Sequence, residues 1–149
     1  MNIHVAQSPV DLGKAAGAKA AQMIRDAIAT KGSASIILAT GTSQFDTLRQ
    51  LISEENVEWN KVIMFHLDEY IGLPVTHPAS FRKYLQERVL SKLPTLKPAY
   101  LINGETDAKA ECERLGGLIK RHPVDVALVG IGENGHLAFN DPPADFDTE

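Results

Sequence analysis

Three short apolar runs constrain this chain more than any other feature. They are Ser35-Ile36-Ile37-Leu38, Val62-Ile63-Met64-Phe65 and Val124-Asp125-Val126-Ala127-Leu128-Val129. They are rich in β-branched residues, and the first two show no polar alternation. Strands of that kind are covered on both faces, which is the situation of a parallel sheet. Between the runs the spacing is helical. Residues 10–30 carry Leu12, Ala16, Ala20, Met23, Ile24 and Ile28 on one expected apolar face. Ser8 reads as the N-cap, Pro9 as the first helical residue and Gly32 as the stop. Residues 45–54, 80–89 and 106–121 also have helical spacing, and 100–102 reads as a short strand closed by Asn103-Gly104. Alternating strands and helices predict an α/β fold, a parallel sheet with helices on both faces.

With 149 residues the chain has the length of one domain. No repeat, low-complexity tract or linker divides it. After the last strand only loop follows, from Gly130 to Pro143, and then Phe146-Asp147-Thr148-Glu149. A parallel strand this apolar needs a following helix to cover it. Residues 1–149 are therefore expected to form one α/β domain that is the N-terminal part of a longer one, truncated at its C-terminus. With 44% hydrophobic and 23% charged residues, a disordered chain is excluded. The net charge of −4, with basic and acidic residues interleaved, offers no stripe for nucleic acid. No apolar run has the length of a membrane span, and the N-terminus lacks the basic start and apolar core of a secretory signal. A cytoplasmic protein with a small-molecule ligand is the expectation.

Ligands of open parallel sheets bind beyond the carboxyl ends of the strands. Three polar segments stand there. In Ala39-Thr40-Gly41-Thr42-Ser43, small residues let backbone N–H groups approach an anion, and the helix that follows points its positive end the same way. That suits a phosphate, although an ordinary turn capped by Thr42 or Ser43 would use the same residues. No Gly-Lys-Ser/Thr follows, so the loop is not a nucleotide P-loop. In Phe65-His66-Leu67-Asp68-Glu69-Tyr70, two adjacent carboxylates follow an apolar strand, and partial desolvation of one would make it a usable base. Both could instead cap the next turn. In Gly130-Ile131-Gly132-Glu133-Asn134-Gly135-His136, a G-x-G-x-x-G pattern follows a strand. It is not read as a dinucleotide fingerprint, because Asn140-Asp141-Pro142-Pro143 prevents the helix that motif must open. The informative residue there is His136, flanked by Asn134 and Asp141, since a carboxylate beside an imidazole can fix its tautomer for proton transfer.

The remaining candidates carry less. His66 and Asp68 have ligand chemistry, but no histidine or cysteine cluster supports a metal. His4, His77 and His122 read as surface or structural residues, and Trp59 and Tyr84 as packing residues. Cys112, the only cysteine, lies between Glu111 and Glu113, which disfavour its thiolate. No G-x-S-x-G elbow is present for a serine hydrolase.

Together the loops resemble the glucosamine-6-phosphate deaminase (isomerase) family. The resemblance rests on Ala39-Thr40-Gly41-Thr42-Ser43, Leu67-Asp68-Glu69-Tyr70-Ile71-Gly72-Leu73, His77-Pro78-Ala79-Ser80-Phe81, Ile102-Asn103-Gly104, and the block from Gly130 to Pro142 that contains Gly135-His136-Leu137-Ala138-Phe139-Asn140. It implies a Rossmann-like α/β sheet shared with 6-phosphogluconolactonases and ribose-5-phosphate isomerases. It also implies conversion of glucosamine 6-phosphate to fructose 6-phosphate plus ammonia, without a redox cofactor. Asp68 would carry a proton from C2 to C1, His136 would assist ring opening and Asp141 would orient His136. Thr40, Gly41, Thr42 and Ser43 would hold the 6-phosphate, with Glu69, Gly132 and Gly135 also facing substrate. Family members are longer than this chain, carry basic phosphate ligands in their later half, and include oligomers.

Two departures stand out. Asn134 occupies a position where the deaminases usually have aspartate, and Asp141 one where they usually have glutamate. These point to a subgroup acting on another amino- or keto-sugar phosphate. Two alternatives use the same fold. A 6-phosphogluconolactonase-like hydrolase typically has Asp-Glu-Arg in place of Asp68-Glu69-Tyr70, and Gly-His-Thr-Ala-Ser in place of residues 135–139. A non-catalytic sugar-phosphate sensor of a transcription regulator would need a helix-turn-helix segment, and none is visible here.

Overall fold

The computed structural model describes residues 2–96 and 98–141. Pro142, Pro143 and the tail at 146–149 lie outside the described residues. Helix α1 spans Pro9–Lys31. The Ser8 hydroxyl accepts from the Asp11 N–H at 3.1 Å, and Pro9 takes the first helical position, where a missing N–H costs nothing. Gly32 closes the helix at φ 83°, its N–H on the Ile28 carbonyl at 2.8 Å. Strand β1 (Ala34–Leu38) leads through a 3₁₀ turn (Thr42–Gln44) into α2 (Phe45–Ser53). Strand β2 (Val62–His66), helix α3 (Phe81–Leu85), strand β3 (Ala99–Tyr100), helix α4 (Ala108–Arg121) and strand β4 (Val126–Leu128) follow.

All strand pairs are parallel and the sheet order is β3-β2-β1-β4. The chain steps one way from β1 to β2 to β3, and α4 then carries it back to the opposite edge. With right-handed crossovers, α2 and α4 fall on opposite faces, as the alternation of elements predicts. One face of the sheet (Ile36, Leu38, Met64, Val126) packs with Ile24 and Ile28 of α1, Leu48 and Leu51 of α2, and Leu85 of α3. Phe65, one residue on from Met64, points to the other face, where its ring meets Tyr100 at 5.4 Å between centroids.

Several boundaries differ from those the sequence predicts, each for an identifiable reason. The strand expected over 124–129 is shorter, because the Asp125 carboxylate takes the Ser35 N–H at 2.8 Å and the Lys31 ammonium at 2.5 Å. The strand expected over 100–102 is two residues long, since the Ile102 N–H turns to His66 Nδ1 at 3.4 Å. Thr106 stays outside α4 because Asp107 is the cap, its carboxylate accepting from the Ala110 N–H at 2.9 Å. The helix expected over 80–89 is an α-turn that widens into a π-turn at Gln86–Leu90. Leu85, Val89 and Leu93 are four residues apart, a spacing that drifts off one face of a regular α-helix, and all three are buried.

The apolar face of α1 is also corrected. Leu12 and Met23 are 50% and 40% exposed, and Ala16 is exposed too. The buried face is instead Gly13, Gly17, Ala20, Ala21, Ile24 and Ile28. The reason is the closeness of α2. A Cβ on Gly13 would lie 2.3 Å from Asp46 Cβ, and one on Gly17 would lie 2.6 Å from both Gln50 Cβ and the Thr47 carbonyl oxygen. The two helix backbones meet where α1 has no side chains, and α2 is the helix that leaves the 39–44 loop.

This contact predicts the sign of a substitution. Gly→Ala in an exposed helix stabilises by about 1 kcal/mol. Gly17→Ala should instead destabilise by about 1–3 kcal/mol, the usual cost of overpacking, read as a lower midpoint at unchanged slope in urea unfolding. A gain in stability would refute the close approach.

Candidate active site

The site is built at the carboxyl ends of β1, β2 and β4. Leu38 lies opposite His66 on one side and Leu128 on the other. Two bonds carry this pairing past the strands, Ala39 N–H to the Leu128 carbonyl at 2.9 Å and Leu67 N–H to the Leu38 carbonyl at 3.1 Å. The loops at 39–44, 67–72 and 130–141 therefore start at one level. They enclose a pocket of about 210 Å³ whose walls include Thr40, Ser43, Asp68, Phe81, Gly132, His136 and Ala138.

Asp68 and Glu69 are adjacent but serve different surroundings. Asp68 is half-buried on the pocket wall. Burial, reinforced by the negative charge of Glu69, pushes its carboxyl above the ordinary range. The Glu69 carboxylate is buried away from the pocket. It accepts from the N–H groups of Tyr70, Phe81 and Arg82 at 3.0, 3.2 and 2.9 Å, and from the Ser80 hydroxyl at 3.0 Å. Burial alone would raise its pKa, but these donors outweigh it and hold it low. Glu69 thus ties the segment carrying Asp68 to the start of α3. Arg82 continues the tie, donating to the Leu73 carbonyl at 3.0 Å, Asn103 Oδ1 at 2.9 Å and Glu105 at 2.7 Å. Gly104 fits only without a side chain, since a Cβ there would lie 2.3 Å from the Tyr70 carbonyl oxygen.

Residues 130–141 form turns and no helix. A tight turn, with the Gly132 N–H on the His136 carbonyl at 2.9 Å, folds the His136 ring onto Gly132. A Cβ at Gly132 would fall within 2.1–2.6 Å of three imidazole atoms. His136 Nδ1 lies 2.5 Å from Asn134 Oδ1 and 2.9 Å from Asp141 Oδ1, while Asn134 Nδ2 donates to Asp141 at 3.1 Å. Two acceptors around Nδ1 put the proton there. Nε2, which makes no hydrogen bond among the described residues, keeps its lone pair for a ligand.

The structure thus brings Thr40, Ser43, Asp68, Gly132 and His136 to one pocket, with Asn134 and Asp141 holding His136 from its outer side. It does not bring the others there. Thr42 is exposed at the start of the 3₁₀ turn, and Gly41 and Gly135 shape turns at φ 100° and 86° without lining the wall. Glu69 faces away because α3 claims its carboxylate. The sequence reading missed the walls Phe81 and Ala138 and the anchors Ser80 and Arg82. The unpaired N–H groups that any helix start leaves are the one sequence-level signal that points to such anchors. His66 is 4% exposed, and its Nε2 has no hydrogen-bond partner. Burial lowers its pKa to about 4, with Glu69 opposing and Arg82 reinforcing the shift. Among the described residues no group of three metal-ligating side chains occurs, and no helix is long and apolar enough to cross a membrane.

Residues 7–142 match the family model described as glucosamine-6-phosphate isomerases/6-phosphogluconolactonase. A glucosamine-6-phosphate deaminase of Listeria innocua is 39% identical over 137 residues, covering 91% of this chain and 58% of that protein. One of Streptococcus pneumoniae is 35% identical over 134 residues, covering 89% and 56%. The solved structure of a monomeric glucosamine-6-phosphate deaminase superposes with a TM-score of 0.86 at 32% identity, covering 99% of this chain and 62% of that one. A 6-phosphogluconolactonase from Shewanella baltica shares the fold, with a TM-score of 0.79 at 21% identity and coverages of 91% and 58%. The chain spans about three-fifths of the length of these relatives.

Two outcomes follow from the geometry. Between pH 6.5 and about 4 the unfolded chain protonates His66 and the folded chain does not. The stability this provides is fully present above pH 6.5 and is lost as pH falls through that window. His66→Asn, which keeps an acceptor for the Ile102 N–H, should flatten the slope of unfolding free energy there by up to about 1.4 kcal/mol per pH unit. An unchanged slope would contradict the burial. Gly132→Ala should displace the imidazole, seen as a shift of the His136 ring resonances in NMR with folding retained.

Proposed function

The chain belongs to the family of glucosamine-6-phosphate isomerases and 6-phosphogluconolactonases, and we propose that it carries the reaction rim of an aldose–ketose isomerase that deaminates a hexosamine 6-phosphate. The observation that supports this reading most is the meeting of Asp68, His136, Thr40 and Ser43 around one pocket. In that reading Asp68 removes the C2 proton of the open-chain sugar. The C2–H electron pair forms the C1=C2 bond of an enolamine as the C1 carbonyl oxygen takes up a proton from solvent. The same carboxyl returns its proton to C1, and water hydrolyses the resulting C2 iminium to the ketone with release of ammonia. A raised pKa suits Asp68 to both halves of the transfer, because its carboxyl must take and give within one turnover.

His136 would act first, on the closed ring. With Nδ1–H held by Asn134 and Asp141, Nε2 can accept the anomeric proton, and the nearby Asp141 carboxylate stabilises the imidazolium that forms. Asn134 adds orientation but no charge. The phosphate would sit against residues 40–43, where the N–H groups of Thr42 and Ser43 have no acceptor among the described residues. Asn134 and Asp141, which stand where the deaminases usually have aspartate and glutamate, support a related aminosugar phosphate as substrate beside glucosamine 6-phosphate itself. A soluble sugar phosphate of this kind accords with a cytoplasmic enzyme. Asp68-Glu69-Tyr70 speaks against lactone hydrolysis.

The test is ammonia release by the native gene product from a panel of aminosugar 6-phosphates, with 6-phosphogluconolactone hydrolysis measured alongside. Release from at least one aminosugar is expected. Lactone turnover alone would replace the proposal with its alternative. Asp68→Asn should abolish C2 proton exchange with deuterated solvent, a loss of at least about 10²-fold, while inorganic phosphate still binds. Retained exchange would remove Asp68 as the base.

A further inference from the structure

Tyr84 is more than a packing residue. From the helical segment behind the pocket its hydroxyl donates to the Gly41 carbonyl at 3.2 Å, across 43 residues of sequence. Burial pushes its pKa up against the opposing charge of Arg88, so the hydroxyl stays protonated and able to donate. Its ring stacks on Phe45, the first residue of α2, with centroids 5.8 Å apart and planes 17° apart. The Arg88 guanidinium lies over both rings, 4.1 Å from the Phe45 centroid and 5.3 Å from that of Tyr84. The stack locates the hydroxyl relative to the start of α2.

The bond reaches the peptide that follows the glycine of the loop. Gly41 has φ 100° and ψ 170°, a conformation open in practice only to glycine. Its carbonyl also accepts from the Gln44 N–H at 3.1 Å. In a planar trans peptide the carbonyl and the following N–H point in opposite directions. A Gly41 carbonyl held on Tyr84 therefore turns the Thr42 N–H away from Tyr84. Tyr84 is absent from the pocket wall, whereas Thr40 and Ser43 line it.

We propose that Tyr84 is a positioning residue for the anion seat, locking the Gly41–Thr42 peptide with its N–H toward a phosphomonoester. This rests on the reading of residues 40–43 as the phosphate loop. Tyr84 touches neither substrate nor reacting atoms. Without its hydroxyl the Gly41 carbonyl keeps only the Gln44 N–H, the peptide is held less firmly, and the ligand must order it on binding, which weakens affinity but leaves the chemistry at Asp68 untouched.

Tyr84→Phe keeps the ring, the stack and the Arg88 contact and removes only the donor. In the native gene product, KM for glucosamine 6-phosphate should rise about three- to tenfold, the range of one hydrogen bond, with kcat within about twofold. The inhibition constant of inorganic phosphate should rise by the same factor. Tyr84→Leu, which also removes the stack, should lower Tm as well. Unchanged KM and phosphate affinity in Tyr84→Phe, or a loss confined to kcat, would overturn the proposal. If the wild type turns over no sugar phosphate, phosphate-induced thermal stabilisation still decides it. A Tm rise that Tyr84→Phe diminishes supports the clamp while sinking the deaminase reading, and no Tm rise in the wild type overturns both.

Discussion

The parallel pairing of β1 with β2 on one side and β4 on the other is the constraint on which the rest depends. It sets Leu38, His66 and Leu128 side by side, so three loops from distant parts of the chain leave the sheet at the same height. Backbone hydrogen bonds impose this without regard to the loop residues. What the loop residues decide is how each turn folds back over the rim. Gly13 and Gly17 extend the constraint to the helix layer, since the close seat of α2 on α1 fixes where the 39–44 loop must end.

The two adjacent carboxylates show how one dipeptide can serve chemistry and architecture together. Glu69 is surrounded by N–H and O–H donors and stays ionised in the interior. Among the described residues Asp68 has no such donors, and it feels both desolvation and the charge next door, so its carboxyl is pushed the other way. Environments that drive the pKa values of neighbouring acids apart are a mark of proton-transfer sites. Here the buried partner does double service, raising the pKa of Asp68 and pinning the backbone that carries it.

Much of this was legible in the sequence because it depends on local pattern. Apolar runs without alternation marked the strands, and the caps of α1 followed from Ser8, Pro9 and Gly32. The polar ends of the strands marked the three loops, since the carboxyl edge of a parallel sheet is where unpaired polar groups collect. The larger failures involve distant partners. Periodicity assigned Leu12 and Met23 to the buried face of α1, but the approach of α2 shifted that face to the glycines. Residue type assigned Glu69 to the site, but α3 took its carboxylate. Tyr84 looked like filler because nothing in its own helix reveals a hydrogen bond to Gly41.

The sequence by itself determined the α/β class, the order of the elements, and the residue types able to hold an anion or move a proton. These are properties of spacing and side-chain chemistry, which a chain carries before it folds. Tertiary structure alone decided which candidates share the pocket, which nitrogen of His136 is left free, and which of two neighbouring carboxylates is available as a base. Those outcomes depend on distances between segments far apart in sequence, and on the desolvation and hydrogen bonding that arise only when the segments meet.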